Sequence, residues 1–321
     1  MFLRTIIALA MLSASSPAVW AQGYPSKPVR VIVTFPPGGT PDIYGRVMSA
    51  ELQKVWNQSV VVENRTGAGG TIGTDYVAKA APDGYTLLFA ADATITIAPH
   101  LYSKLPYDPV RDLAPIVNVT AGPFVLMANP AFPPNNVKEL IALVQTQPGK
   151  VSYASSGAGG QQHLAMEYIR TMAGSMDMIH VPYKGFGQGI ADVLANQVPL
   201  IFGGITASIQ LTRSGKLKAL AVTGPGRAKA LPDVPAIAET LPGFDITAWY
   251  GFMAPAGTPR EIVKKIHDDS VAVIKRPDFL ERLARDGIEP VGSTPEEFAA
   301  QIKTDLAHWA KIVKAAGAKL D

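Results

Sequence analysis

The chain has 321 residues, 47% hydrophobic and 17% charged, enough for two domains of ordinary size with a large core. The formal charge of +3 comes from scattered basic residues, which excludes the concentrated Lys/Arg stripe of a nucleic-acid binder. No cysteine is present, so a disulfide, a thiol nucleophile, a cysteine-bound metal and a lipidated cysteine anchor are all excluded.

Arg4 precedes an apolar stretch from Thr5 to Leu12, which Ser13, Ser15, Ser16 and Pro17 break. Val19 and Ala21 then flank Trp20 with small residues where a signal peptidase reads. Residues 1–21 are therefore expected to be a secretory signal peptide, with the mature chain starting at Gln22 in the periplasm. The apolar stretch is shorter than the about 20 residues that span a bilayer, and no later run reaches that length.

Strand and helix signals then alternate. Val29–Phe35 is a β-branched run that Pro36-Pro37-Gly38-Gly39 ends, and Pro41–Val55 reads as a helix. Ser59–Glu63 is a second strand, Gly67–Gly73 a glycine-rich loop, Thr74–Ala81 a helix and Tyr85–Ala90 a third strand. Ala114–Ala128 is a long extended stretch interrupted at Gly122-Pro123. A second series follows: helix Asn136–Gln147, strand Val151–Ala154, helix Gln161–Ala173, strand Met178–Val181, helix Gly187–Asn196, strand Leu200–Phe202, helix Ala207–Arg213 and strand Leu217–Val222. Phe244–Met253 is again extended, and three helices finish the chain at Arg260–Lys275, Phe279–Asp286 and Pro295–Ala315.

This alternation predicts an α/β fold with parallel sheets. Two βα series joined by two extended crossover connections predict a two-lobe protein with a hinge. Residues 22–122 plus 247–321 form lobe 1, and 123–246 form lobe 2. Ligands of open α/β sheets sit at the C-terminal strand edges.

Two loops stand at such edges. In the first, Pro37, Gly38 and Gly39 lead into Thr40, the expected N-cap, and Pro41. Asp42 either faces the helix dipole or accepts from a ligand or water, and Arg46, one turn on, is expected in a buried ion pair. In the second, Ser155, Ser156, Gly157, Ala158 and Gly159 open a helix that carries His163 in its first turns. A helix start has N–H groups without internal partners and a partial positive charge, so it suits an anion. Two such starts facing one cleft suit a ligand with an acceptor group at each end. Tyr183 and Trp249 are aromatic candidates for the cleft wall, alongside Phe186 and Tyr250, and Gly204 follows a strand that ends in the same region.

Catalytic and cofactor signatures are missing. Gly67–Gly73 matches a dinucleotide fingerprint only loosely, because Ile72 stands where the third glycine belongs, and no phosphate-binding Gly-x4-Gly-Lys-Ser/Thr loop exists. There is no Gly-x-Ser-x-Gly elbow and no His-Glu-x-x-His. The histidines at 100, 163, 180, 267 and 308 show no metal-ligand spacing. The chain is thus expected to be no enzyme and to need neither metal nor cofactor.

Several segments together resemble the Bug family of periplasmic solute-binding proteins, which serve tripartite tricarboxylate transporters. They are Pro37-Gly38-Gly39-x-x-Asp42-x-x-x-Arg46, Glu63-Asn64-Arg65-x-Gly67-Ala68-Gly69-Gly70, Pro82-Asp83-Gly84-Tyr85-Thr86 and Gly157-x-Gly159-x-x-x-His163. Val181-Pro182-Tyr183-Lys184-Gly185 and Ala254-Pro255-Ala256-Gly257-Thr258-Pro259 complete the set, in order across nearly the whole chain. The resemblance implies a Venus-flytrap fold, type II, that closes on a small carboxylate, aliphatic or aromatic. It implies a grip through backbone N–H groups and water at Pro37–Asp42 and at Ser155–Gly159 with His163. It also implies a monomer that delivers the ligand to membrane permease subunits, with a signalling receptor as the alternative partner. Asp92 and Thr94 follow the third strand where smaller polar residues are expected, and Asp92 there opposes a dianion or receives a hydroxyl or amine.

Overall fold

A computed structural model describes residues 23–174 and 176–320; the signal-peptide reading lies outside them. Among the described residues, ten strands and ten α-helices follow one another in the expected βα order. The first series is β1 (Val29–Val33), α1 (Thr40–Trp56), β2 (Val60–Asn64), α2 (Thr71–Ala78) and β3 (Thr86–Ala91). A π-helical turn over Ala93–Ile97 runs into α3 (Ala98–Leu101), where no helix was expected. Then come β4 (Leu113–Ala128), α4 (Val137–Thr146), β5 (Ser152–Ser155), α5 (Gln161–Met172), β6 (Ile179–Pro182), α6 (Phe186–Leu194), β7 (Leu200–Gly204), α7 (Ile205–Arg213) and β8 (Lys218–Val222). The chain ends with β9 (Thr247–Pro255), α8 (Arg260–Ile274), α9 (Pro277–Asp286), β10 (Glu289–Pro290) and α10 (Pro295–Ala316).

Two ladders share β4. Its first part, Leu113–Pro123, pairs antiparallel with β9, which pairs with β3; β3, β1 and β2 then run parallel. Its second part, Phe124–Ala128, lies between β7 and β8, and β7, β5 and β6 run parallel. The expected break at Gly122-Pro123 is instead continuous strand. Pro123 falls where β4 changes partners, so its missing N–H interrupts neither ladder.

The strands are apolar because helices cover both faces. Val29, Val31, Ile32 and Val33 of β1 are fully buried, as are Leu87, Leu88 and Phe89 of β3. The two connections between ladders are tied by Thr223, which is fully buried. Its Oγ1 accepts from Phe124 N–H at 2.8 Å, and its hydroxyl donates to the Ile246 carbonyl. Its backbone accepts from Ile246 N–H at 2.9 Å and donates to the Phe124 carbonyl at 3.0 Å.

The C-terminal helices bridge the halves. α8 packs on α1 and β4, and α10 packs on β4, the π-helical turn and α5. Asp286 ends α9 and accepts from Tyr44 of α1 and from Thr206 of α7, each at 3.0 Å.

Candidate functional site

The first loop is shaped by one carboxylate. Gly39 is the N-cap of α1, with extended backbone and no side-chain cap; Thr40, expected there, is the first helical residue. Pro37, Gly38 and Gly39 are exposed. Asp42, 4% exposed, accepts from Gly38 N–H at 3.0 Å, from Asn64 Nδ2 at 2.8 Å and from Arg46 Nε at 2.9 Å. Burial by itself raises the Asp42 pKa, but these donors and the Arg46 charge hold it below the usual carboxylate value. Asp42 therefore builds the loop. Its pair with Arg46 is formed, but Arg46 is half-exposed rather than buried.

The second loop is shaped by neutral groups. Ser155, fully buried at the end of β5, donates to the Gly157 carbonyl at 3.0 Å and accepts from Gly157 N–H at 3.2 Å. Its single proton being used, the contact at 2.6 Å with His180 takes Nε2 as donor. Gly159 N–H donates to His163 Nδ1 at 3.1 Å. The His163 and His180 rings stack with centroids 4.0 Å apart, and the Tyr153 ring lies nearly parallel to both, 4.9 Å from His180 and 6.5 Å from His163. Burial lowers both imidazole pKa values; His180 falls to about 4, with the neighbouring His163 adding to the effect. The Ser156 hydroxyl donates to Gln162 Oε1 at 2.8 Å, and Ala158 is exposed at the tip. Gly159 has φ of +73°, and a Cβ there would stand 2.8 Å from Leu320, so both conformation and space require glycine. Tyr183 gives its N–H to the Ser155 carbonyl at 3.0 Å. Its hydroxyl is committed to Asp192 at 2.6 Å, a bond that with burial raises its pKa to about 12.

The halves meet between these loops. Gln161, first residue of α5, donates across the cleft to Asp92 Oδ2 at 2.5 Å. Asp92 is 1% exposed, and its Oδ1 accepts from Ala93 N–H at 2.9 Å. Gly204 caps α7, and Thr40 Oγ1 lies 3.7 Å from where its Cβ would be. The Tyr250 hydroxyl lies beside Thr40; burial, then the nearby Asp92 charge, raises its pKa. Burial, then the charge of Asp305, raises that of Asp92 well above the usual carboxylate value.

Helix starts at parallel-strand edges share one feature. Among the described residues, α1, α2, α5, α6 and α7 start from glycine with no side-chain cap, at Gly39, Gly70, Gly160, Gly185 and Gly204. Elsewhere in the fold α4 and α10 are capped by the side chains of Asn136 and Thr294, while α8 and α9 start after Pro259 and Arg276 with neither glycine nor a side-chain cap. Starts without such caps leave N–H groups open to an outside acceptor.

Two expectations are corrected. Trp249 lies on the opposite side of β9 from Tyr250, buried against Phe298 in a separate apolar cluster, with Nε1 donating to Asp305 at 2.8 Å. Thr94 is fully buried, returns its hydroxyl to the Ala91 carbonyl at 3.1 Å and packs toward Gly70. Gln161 and His180 were not singled out for the site, whereas Tyr250 was a candidate for the cleft wall and lies beside Thr40 and Asp92. Gln161 was legible as the first helical residue after a glycine loop; His180 carried no signal, because only the parallel pairing of β5 with β6 brings it to Ser155. No group of three metal-ligating side chains exists among the described residues.

A family described as tripartite tricarboxylate transporter family receptor matches residues 44–318. Protein BugT of Bordetella pertussis is 37% identical over 99% of this chain and 98% of its own length. The structure of an R. palustris protein with adipate is 32% identical and superposes with a TM-score of 0.85 over 92% of this chain and 100% of that one. MatC from Rhodopseudomonas palustris with bound malate is 32% identical, with a TM-score of 0.80 over 90% of this chain and 100% of that one.

Proposed function

The chain belongs to the tripartite tricarboxylate transporter family of receptors, and from that premise we propose that it captures a small carboxylate between its lobes and delivers it to the membrane permease of such a transporter. The family consists of periplasmic solute-binding receptors, not enzymes. One observation carries the proposal: α1, α5 and α7 start from glycine without side-chain caps and converge from both halves beside Asp92 and Tyr250. One carboxylate group fits such donors, and a ligand touching both halves favours the closed form through its differential affinity. The adipate and malate carried by the two related structures support this ligand class.

The moving bodies are residues 22–122 with 247–321 and residues 123–246, turning at Gly122–Phe124 and Ile246–Thr247 beside Thr223. The protein works as a monomer in the periplasm after removal of residues 1–21. A thermal-shift screen tests the ligand class with succinate, malate, citrate, aspartate, adipate, nicotinate, benzoate and terephthalate. Binding raises the melting temperature in proportion to the logarithm of ligand concentration above Kd. A flat response across the panel, from protein shown by mass spectrometry to carry no retained ligand, contradicts the proposal.

A further inference from the structure

We propose that Asp92 selects among carboxylates: the cleft takes a carboxylate that also carries an ammonium group, and Asp92 receives that ammonium. The inference rests on the carboxylate-capture reading and narrows it. Asp92 stands just past the C-terminal end of β3 and is almost wholly buried where the halves meet. The charge that acts on it is that of another acid, Asp305, whose own pKa is raised by burial first; Trp249, His308 and Gln301 moderate it. Among the described residues neither acid has a lysine or arginine ion-pair partner. Asp42, the other buried acid of the site, has Arg46.

This asymmetry decides which ligand fits. Glycine-capped helix starts take one carboxylate group through N–H donors. Both Asp92 oxygens accept N–H bonds, and a second carboxylate brought there would meet a like charge or require Asp92 to hold a proton. An ammonium requires neither, because it gives the ionised form of Asp92 the cation it lacks. The Asp92 oxygen already accepts an N–H delivered from the opposite half, by Gln161 at 2.5 Å, so a nitrogen donor can reach it from inside the cleft.

The test is titration calorimetry of the purified protein with length-matched pairs. Succinate is set against 4-aminobutanoate and glutarate against 5-aminopentanoate, with aspartate added. Wild type should prefer the amino carboxylates. Asp92→Asn should weaken them at least about tenfold, as truncation of a buried charge pair does, and should strengthen the dicarboxylates. Gln161→Ala removes the bond between halves and frees Asp92 Oδ2 without changing charge, so it should weaken the dicarboxylates more than the amino carboxylates. Two results overturn the inference and leave carboxylate capture standing: preference of wild type for dicarboxylates, or equal effects of Asp92→Asn on both classes. Failure of every carboxylate to bind wild type overturns the capture reading and this inference with it.

Discussion

The two glycine loops that lead into α1 and α5 are held by different chemistry. In the first half, Pro36–Asp42 is held by a buried carboxylate with an arginine, an asparagine and a backbone N–H around it. In the second, Ser155–Gly160 is held by a hydroxyl and two stacked neutral imidazoles. The charged loop keeps its bonds wherever Asp42 is ionised, which its lowered pKa extends toward acid. The histidine loop keeps its bonds only while His163 is neutral, because a protonated His163 Nδ1 can no longer accept from Gly159, whereas His180 Nε2–H donates to Ser155 in either state. One half of the site is therefore robust to acid and the other is not.

The largest effect that sharpens this contrast is Asp42→Ala. It strands the Gly38 N–H, the Asn64 amide and a half-exposed arginine, and should cost about 2–3 kcal/mol of unfolding free energy. Urea denaturation measures it, and a loss below about 0.5 kcal/mol, the range of ordinary surface changes, contradicts the role given to Asp42. Next is acid. His180 has a folded pKa of about 4 against an ordinary 6.5, so the unfolded chain binds more protons between these values. Stability is complete above pH 6.5 and falls as pH drops toward 4. After discounting for partial exposure, the His180 share is about 1–2 kcal/mol. Urea midpoints of wild type and His180→Asn across this range isolate that share, and parallel curves would sink it.

Ser155→Ala comes third, at about 1–2 kcal/mol, because His180 and the Gly157 N–H lose their shared acceptor. The smallest effect is Tyr250→Phe, which removes a buried hydroxyl beside Thr40 and should cost about 1 kcal/mol. A melting temperature unchanged in Ser155→Ala but lowered in Tyr250→Phe would reverse the order.

Both loops were legible in the sequence because a glycine run between a buried strand and a helix leaves the backbone bare at the helix start, where a guest can approach it. The α/β alternation was legible because strands and helices differ in period. Trp249 was misassigned because Thr247–Pro255 is buried on both faces almost throughout, which leaves no polar alternation to say which side faces the cleft. The π-helical turn at Ala93–Ile97 escaped because its apolar sequence ATITI is good strand material. Asp92 starts it with a side-chain cap, Tyr107 binds its Thr94 carbonyl and α10 packs on it, and such tertiary contacts leave no local signal. The histidine pair was unreadable because its members stand on an edge strand and a helix, 17 positions apart in sequence.

The central claim is that one carboxylate ligand is gripped from both halves. Gly39 and Gly160 cap α1 and α5 with φ of −76° and −67°, and neither Cβ would meet an atom closer than 3.4 Å. Valine at either place therefore fits the backbone but covers the helix start. Titration calorimetry of wild type, Gly39→Val and Gly160→Val with the strongest binder of the carboxylate panel is the direct measurement. Each variant should melt near the wild-type temperature and bind at least about tenfold more weakly, a loss of about 1.4 kcal/mol. A folded variant of either loop with wild-type affinity would show that its half does not touch the ligand.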